Sequence, residues 1–315
     1  MVIACLFPGQ GSQSPGMGLE VRDAFPEARK AFEEADDALG ESLSRIIFEG
    51  TVEALKRTEI TQPAILTTSV AMWRTLTARL PDFSPDYVAG HSLGEWSALV
   101  AAGAVDFADA VRLVRHRGRA MQEAVPEGMG SMSAVMGLQA DRVEEICRTT
   151  SASTGAVVAP ANINSPEQIV ISGAAAAVES ASEALQEAGA KKVIPLPVSA
   201  PFHCALMQPA ADALAEAMEQ VSFHDPKFPV VGNVKAQPYH TADEAKALLV
   251  QQVTAPVLWV DSLRWLLEKG VSSAVEVGPG KVLAGLARRV DRKFPVHVTE
   301  SLEALEKTIG ILGPA

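Results

Sequence analysis

Tyr87-Val88-Ala89-Gly90-His91-Ser92-Leu93-Gly94 is the stretch that decides the fold. A short apolar run enters a Gly-x-Ser-x-Gly turn, and small residues follow at Ala98, Ala101, Ala102 and Gly103. Apolar strand, sharp turn and small-residue helix are the setting of a nucleophile elbow. The serine of such a turn sits in strained backbone geometry, and side chains at the flanking glycines would collide with neighbouring chain. The turn lifts the Ser92 hydroxyl to the carboxyl end of a sheet. Amides that begin the next helix point back at it and favour an anion there. The same five residues also occur in plain loops; the strand before and the helix after are what favour chemistry here.

Toward the N-terminus, residues 2–7 read as a buried first strand, followed by Pro8-Gly9-Gln10-Gly11-Ser12-Gln13. Two glycines without bulky neighbours suit a loop whose backbone approaches something closely. The Lys-Ser/Thr pair of a phosphate-binding P-loop is missing. A plain turn would explain the loop, but its place after the first strand sets it beside other strand ends and the active site. Residues 20–80 read as helices. Pro26-Glu27 opens one with Ala28, Ala31, Phe32 and Ala35 on one face, and Gln62-Pro63 opens another through Leu66, Val70 and Trp73. After the elbow, Asp106 is the expected N-cap of a helix to about residue 124, stopped by Pro126. Leu113, Arg117 and Met121, four apart, share one face of it. Gly118 costs helix propensity, which points to close packing or to a ligand.

From Gly130 the texture changes. Strands are expected at 131–136, 156–162, 168–172 and 192–196, with helices at 141–149 and 174–188. The order β-α-β-β-α-β is that of a ferredoxin-like unit. The expected division is a small subdomain over 128–198, inserted into a larger domain made of 1–127 and 199–315. Beyond the insert, helices are expected through Leu206 to Met218, at 243–253, 262–268 and 282–290, and strands at 230–231, 274–277 and 296–298. The fold class is α/β: a mostly parallel sheet in an α/β-hydrolase-like large domain, with the ferredoxin-like insert.

The chain of 315 residues is 48% hydrophobic, enough for one large domain or two. No apolar run reaches the roughly 18 residues of a membrane span. The first residues lack a cationic region before the glycine-rich loop, so no signal peptide is expected. Cys5, Cys147 and Cys204 are odd in number and not spaced as metal ligands, which implies reduced thiols and a cytoplasmic setting. A net charge of −11 disfavours nucleic acid and anionic membranes as partners. An acidic partner must therefore dock on a local basic patch. Lys191 and Lys192, and the cluster Lys281, Arg288, Arg289, Arg292 and Lys293, are candidates, unless they only solvate a helix end.

A serine nucleophile needs a base. Of six histidines, His91 lies inside the elbow and points away from Ser92, His116 lies off the Arg117 face, and His224, His240 and His297 sit in polar or edge contexts. His203, in Pro201-Phe202-His203, resumes the large domain at a strand-end loop and is the foremost candidate. The hydrolase order Ser, acid, His calls for an acid between Ser92 and His203, and none stands out. A neutral acceptor can orient the imidazole instead, because the role is to fix its tautomer and direction. Arg117 on an apolar helix face either pairs with one of the 38 acids or meets an anionic ligand, whose carboxylate its planar fork would suit.

Seven signatures occur together and in order: Phe-Pro-Gly-Gln-Gly-Ser-Gln at 7–13, Gly-His-Ser-Leu-Gly-Glu at 90–95, Arg-Gly at 117–118, Asn-x-Asn-Ser-Pro at 162–166, Pro-Phe-His at 201–203, Gln252 with Pro256-Val257, and Glu-Val-Gly-Pro-Gly-Lys at 276–281. Over nearly its whole length the sequence resembles the malonyl-CoA:acyl carrier protein transacylases of type II fatty acid synthesis. The resemblance implies Ser92 as nucleophile, His203 as base and the Gln252 backbone carbonyl as its orienter. It implies an oxyanion hole from the amides of Gln10 and Leu93, Arg117 on the malonate carboxylate, and Met121, Asn162 and Val282 along the acyl and pantetheine path. Phe202 matches the malonyl-selecting pattern of related polyketide acyltransferases. No metal or bound cofactor is implied; coenzyme A enters as the thioester substrate, acyl carrier protein is the partner, and a monomer is expected. The rival readings are a stand-alone polyketide acyltransferase, an α/β-hydrolase esterase or thioesterase, and a non-catalytic scaffold.

Overall fold

Two sheets organise the computed structural model, which describes residues 2–198 and 200–313. β1 (Ile3–Phe7) and β2 (Tyr87–Gly90) run parallel at the centre of the larger sheet. Strands covered on both faces read as unbroken apolar runs rather than alternating ones, as these two do. β3 (Gly130–Met136), β4 (Val158–Ser165), β5 (Gln168–Ala174) and β6 (Lys192–Pro195) form a separate antiparallel sheet in the order β4-β5-β3-β6. With the helices Ala140–Thr154 and Ala175–Glu187 this is a β-α-β-β-α-β unit. β7 (Val230–Val231), β8 (Pro238–Tyr239), β9 (Ser273–Glu276) and β10 (Val296–Val298) complete the larger sheet in the order β10-β9-β1-β2-β7-β8.

All pairs in the larger sheet are parallel except β7 with β8. The chain builds one side of β1 through β2 and β7, then crosses to the other side through β9 and β10. Where strand order reverses, the carboxyl ends open a crevice. The loop 8–13, the elbow and the turn 278–281 all leave the sheet at that end. The antiparallel sheet is tied to the larger domain's chain at β4: Ile163 N donates to Val257 O, and Val257 N to Ala161 O, both at 2.9 Å. Asn162 sits between these two bonds.

Several expected elements differ in detail. The helix expected to open at Gln62-Pro63 is Thr58–Arg79, with Pro63 inside it. The ring nitrogen of Pro63 leaves the Glu59 carbonyl without its helical donor, and Arg115 Nη1 supplies one at 3.1 Å. Asp106 does occupy the N-cap position of Phe107–Glu123, yet its side chain makes no capping bond. Gly118 marks close packing of protein on protein: a Cβ there would lie 2.6 Å from the Thr58 carbonyl oxygen. The helices Leu43–Glu49 and Val52–Lys56 fall within the stretch 20–80 read as helical, whereas Leu302–Leu312 and the two-residue β8 were not anticipated from the sequence.

The elbow itself is built by contact. A Cβ on Gly94 would lie 2.0 Å from the Phe7 carbonyl oxygen, and one on Gly90 would lie 1.9 Å from the Gly94 carbonyl carbon. Only hydrogen fits at either place, so the helix Gly94–Ala101 can press its first turn against the end of β1. Gly94→Ala is expected to cost about 3 kcal/mol or more of stability, because backbone must move to admit the methyl group. Gly310→Ala is the control. It lies exposed in Leu302–Leu312, where a Cβ meets nothing within 4 Å, and it should gain roughly 0.5–1 kcal/mol. Urea midpoints of the two variants check this; equal and small shifts would contradict the steric account.

Candidate active site

Ser92 follows β2 with φ of 50°, and His203 has φ of 60°; with Ala236 they are the non-glycine residues of left-handed φ among those described. Such strain costs roughly 1–3 kcal/mol per residue and persists only where neighbours over-determine it. Asn233, two residues beyond β7, supplies part of that restraint. Its Oδ1 accepts from Ser92 N at 2.7 Å, and its Nδ2 donates to Gly90 O at 2.7 Å. One carboxamide thus grips the elbow on both sides of the serine.

Ser92 Oγ lies 2.7 Å from His203 Nε2, and His203 Nδ1 lies 2.8 Å from the Gln252 backbone oxygen. A carbonyl only accepts, so the proton sits on Nδ1 and the Nε2 lone pair faces the serine hydroxyl. A peptide carbonyl therefore occupies the place that an acid takes in a hydrolase triad. Burial, then the Arg117 cation, hold the His203 pKa down to about 3, against an upward pull from the bond to Gln252. The imidazole is neutral at neutral pH.

Arg117 projects from Phe107–Glu123 and is 1% exposed. Nη1 donates to Gln62 Oε1 at 2.8 Å, while Nη2 reaches Gln252 Oε1 at 3.0 Å and Ser92 Oγ at 3.3 Å. All three acceptors are neutral, and Nε has no partner among the described residues. The salt-bridge reading open at the level of sequence therefore fails. Burial brings the pKa to about 10, with Glu95 opposing, so the guanidinium stays cationic at neutral pH.

These groups face a cavity of about 110 Å³. Met121, Asn162 and Phe202 line it beside Ser92, His203 and Arg117, and Gln10 and Leu93 line it too. Among the described residues, neither the Gln10 nor the Leu93 amide donates to a protein acceptor. A wider cavity of about 390 Å³ shares Gln10 and Asn162 and adds Val282, which is 46% exposed at its rim. Gln252 is fully buried behind the small cavity rather than in its wall. His91 turns away from the serine, as expected, and its Nε2 meets Asn164 Oδ1 at 2.8 Å.

Sequence reasoning missed Asn233, Gln62 and the contribution of Glu95. Gly232-Asn233 just past a parallel strand was a usable signal, since strand-end loops carry sites in such sheets. Gln62 was read only as a helix start, and Glu95 only as the end of a motif. Among the described residues no cluster of three or more histidines, cysteines or acids is placed to hold a metal ion. The arrangement as it stands offers a hydroxyl beside a neutral imidazole, two undonated amides and a buried cation. That set suits attack on a carbonyl whose substituent bears a negative charge.

Comparison with known proteins agrees with this chemistry. The profile of the acyl transferase domain matches residues 5–308. The chain is 48% identical over 287 residues to the malonyl CoA-acyl carrier protein transacylase of Escherichia coli K12, covering 91% of this chain and 92% of that protein. It superposes on the malonyl CoA-acyl carrier protein transacylase of Coxiella burnetii with a TM-score of 0.96 at 42% identity, covering 99% and 98% of the two chains. It also superposes, at 0.95 and 43% identity over 99% and 100%, on a malonyl-transacylase solved with its type II polyketide synthase acyl-carrier protein.

The depressed pKa of His203 makes a prediction that needs no knowledge of substrate. A group held neutral down to about pH 3 is a competent base wherever the pH is well above that value. The rate at which phenylmethanesulfonyl fluoride modifies Ser92 should stay level from pH 8 to about pH 5 if His203 is that base. An acid limb centred near 6.5, the ordinary histidine value, would contradict the buried, cation-facing imidazole.

Proposed function

Because the chain belongs to the acyl transferase domain family, we propose that it moves malonyl groups from coenzyme A to the phosphopantetheine thiol of an acyl carrier protein, through a malonyl ester on Ser92. Ser92 Oγ attacks the thioester carbonyl carbon as its proton passes to His203 Nε2. The carbonyl electrons move onto oxygen, where the Gln10 and Leu93 amides receive them. Collapse breaks the C–S bond, and the departing coenzyme A sulfur takes the proton from His203. The carrier's thiol then gives its proton to His203 and attacks the ester. The second collapse breaks the bond to Oγ, and Ser92 recovers its proton. No bound cofactor enters this scheme.

The observation that carries the reading is Arg117: a buried guanidinium with only neutral partners, 3.3 Å from the reacting hydroxyl. A malonyl group brings the missing carboxylate, and an acetyl group does not. Met121, Asn162 and Phe202 close the acyl cavity, and Val282 borders the wider one that would take the pantetheine arm. The division at 128–198 fits this use, since Leu196 and Val198 at its end wall both cavities. The similarity to a transacylase solved with an acyl-carrier protein supports an acyl carrier protein as the acceptor. An esterase reading has no use for Arg117. Three free, buried cysteines support a cytoplasmic setting. No helix among the described residues is long and apolar enough to cross a membrane.

The test is selectivity. Removing one partner of a desolvated charge pair costs ~2–5 kcal/mol, and each 1.4 kcal/mol is about tenfold. Arg117→Ala should thus lose roughly 30- to several-thousand-fold in kcat/KM for malonyl-CoA. Acetyl-CoA should hold its rate or gain, since its methyl group no longer faces a buried unpaired cation. Arg117→Lys should rescue only in part, offering a point charge rather than a fork. An equal fall for both thioesters would assign malonate recognition to another group.

A further inference from the structure

A buried cation needs an anion somewhere in its surroundings, and none touches Arg117. The anion that acts on it electrostatically is Glu95, in the first turn of Gly94–Ala101 and 1% exposed. Glu95 Oε2 accepts from Gln252 Nε2 at 2.7 Å and from Asn233 N at 3.0 Å, and Oε1 accepts from Tyr239 Oη at 3.0 Å. Three converging donors match an ionised carboxylate. Burial holds its pKa above the ordinary carboxylate value, against the downward pull of these donors and of Arg117.

The consequence runs through one carboxamide. Gln252 Nε2 faces only acceptors: Glu95, the Ser92 carbonyl at 3.1 Å and Asn233 Oδ1 at 3.2 Å. Its orientation is therefore set, and Oε1 is left facing Arg117 Nη2 at 3.0 Å. A flipped amide would put N–H groups against the guanidinium and a carbonyl against the carboxylate.

We propose that Glu95 is the counter-ion of Arg117, acting through the Gln252 carboxamide, and that this relay positions the guanidinium so as to set the preference for malonyl over uncharged acyl groups. The inference rests on the transferase reading above. Glu95 is a positioning residue: it touches neither substrate nor the reacting atoms. The base is held separately, by the main-chain carbonyl of Gln252. Loss of the relay should therefore damage carboxylate recognition more than proton transfer.

Glu95→Gln keeps the shape and removes the charge. A charge-assisted hydrogen bond is at stake, so the malonyl-to-acetyl ratio of kcat/KM should fall on the order of tenfold, with acetyl transfer retained. Tyr239→Phe removes one donor from Glu95 and should lower the same ratio less; it serves if Glu95→Gln does not fold. A merely structural role would lower both thioesters alike. In a protein whose wild type prefers malonyl-CoA, an unchanged ratio in the folded variants overturns the proposal. Should wild type show no such preference, the transferase reading fails instead, and the side-chain NMR resonances of Arg117 decide about Glu95. They should move in Glu95→Gln and Tyr239→Phe, and resonances unmoved in both overturn the relay whatever the activity.

Discussion

The constraint on which the rest depends is the burial of one guanidinium among neutral acceptors. Arg117 takes Gln62 from the helix Thr58–Arg79, Gln252 from Ala242–Thr254, and Ser92 from the elbow. Three distant stretches of chain converge on it. Removing an ion from water costs several kcal/mol even after relaxation, and neutral hydrogen bonds offset only part of that. Under the proposed function, the acyl group of the substrate brings the carboxylate that this guanidinium lacks. On that proposal, an anionic acyl group would offset the cost of burying the cation, and a neutral one would not.

Strain is concentrated at the same place. Ser92 and His203 both have left-handed φ, and Asn233 and the two elbow glycines hold the first of them. A hydroxyl fixed 2.7 Å from a neutral imidazole needs no rearrangement before attack. Gln252 joins the two halves of the site, because its main chain orients the base and its side chain orients Arg117. Under the proposed function, proton transfer and carboxylate recognition thus share a residue but use different atoms of it.

Much of this was legible in the sequence, and for local reasons. The elbow declares itself through glycines that steric contact requires, and the parallel strands through unbroken apolar runs. The four-residue spacing of Leu113, Arg117 and Met121 placed the arginine on an inward face, and all three are buried. What stayed hidden acts at a distance in sequence. The start of Thr58–Arg79 was masked by Pro63, whose missing donor is made good by Arg115 from another helix. Asn233 lies 141 residues from Ser92 and bears no motif, and Glu95, which only closes the elbow motif, lies 157 from Gln252. The Gln252 carbonyl is a main-chain group that any residue carries, so no pattern of side chains pointed to it. Only the family resemblance singled it out.

The central claim is that Ser92 carries the malonyl group as a covalent ester between the two half-reactions. Intact-mass measurement of the protein after brief incubation with malonyl-CoA, followed by peptide mapping, tests it most directly. The account predicts a single malonyl adduct on the peptide containing Ser92, discharged when a holo acyl carrier protein is added. An adduct on any other residue, or transfer to the carrier with no covalent intermediate on the protein, would contradict it.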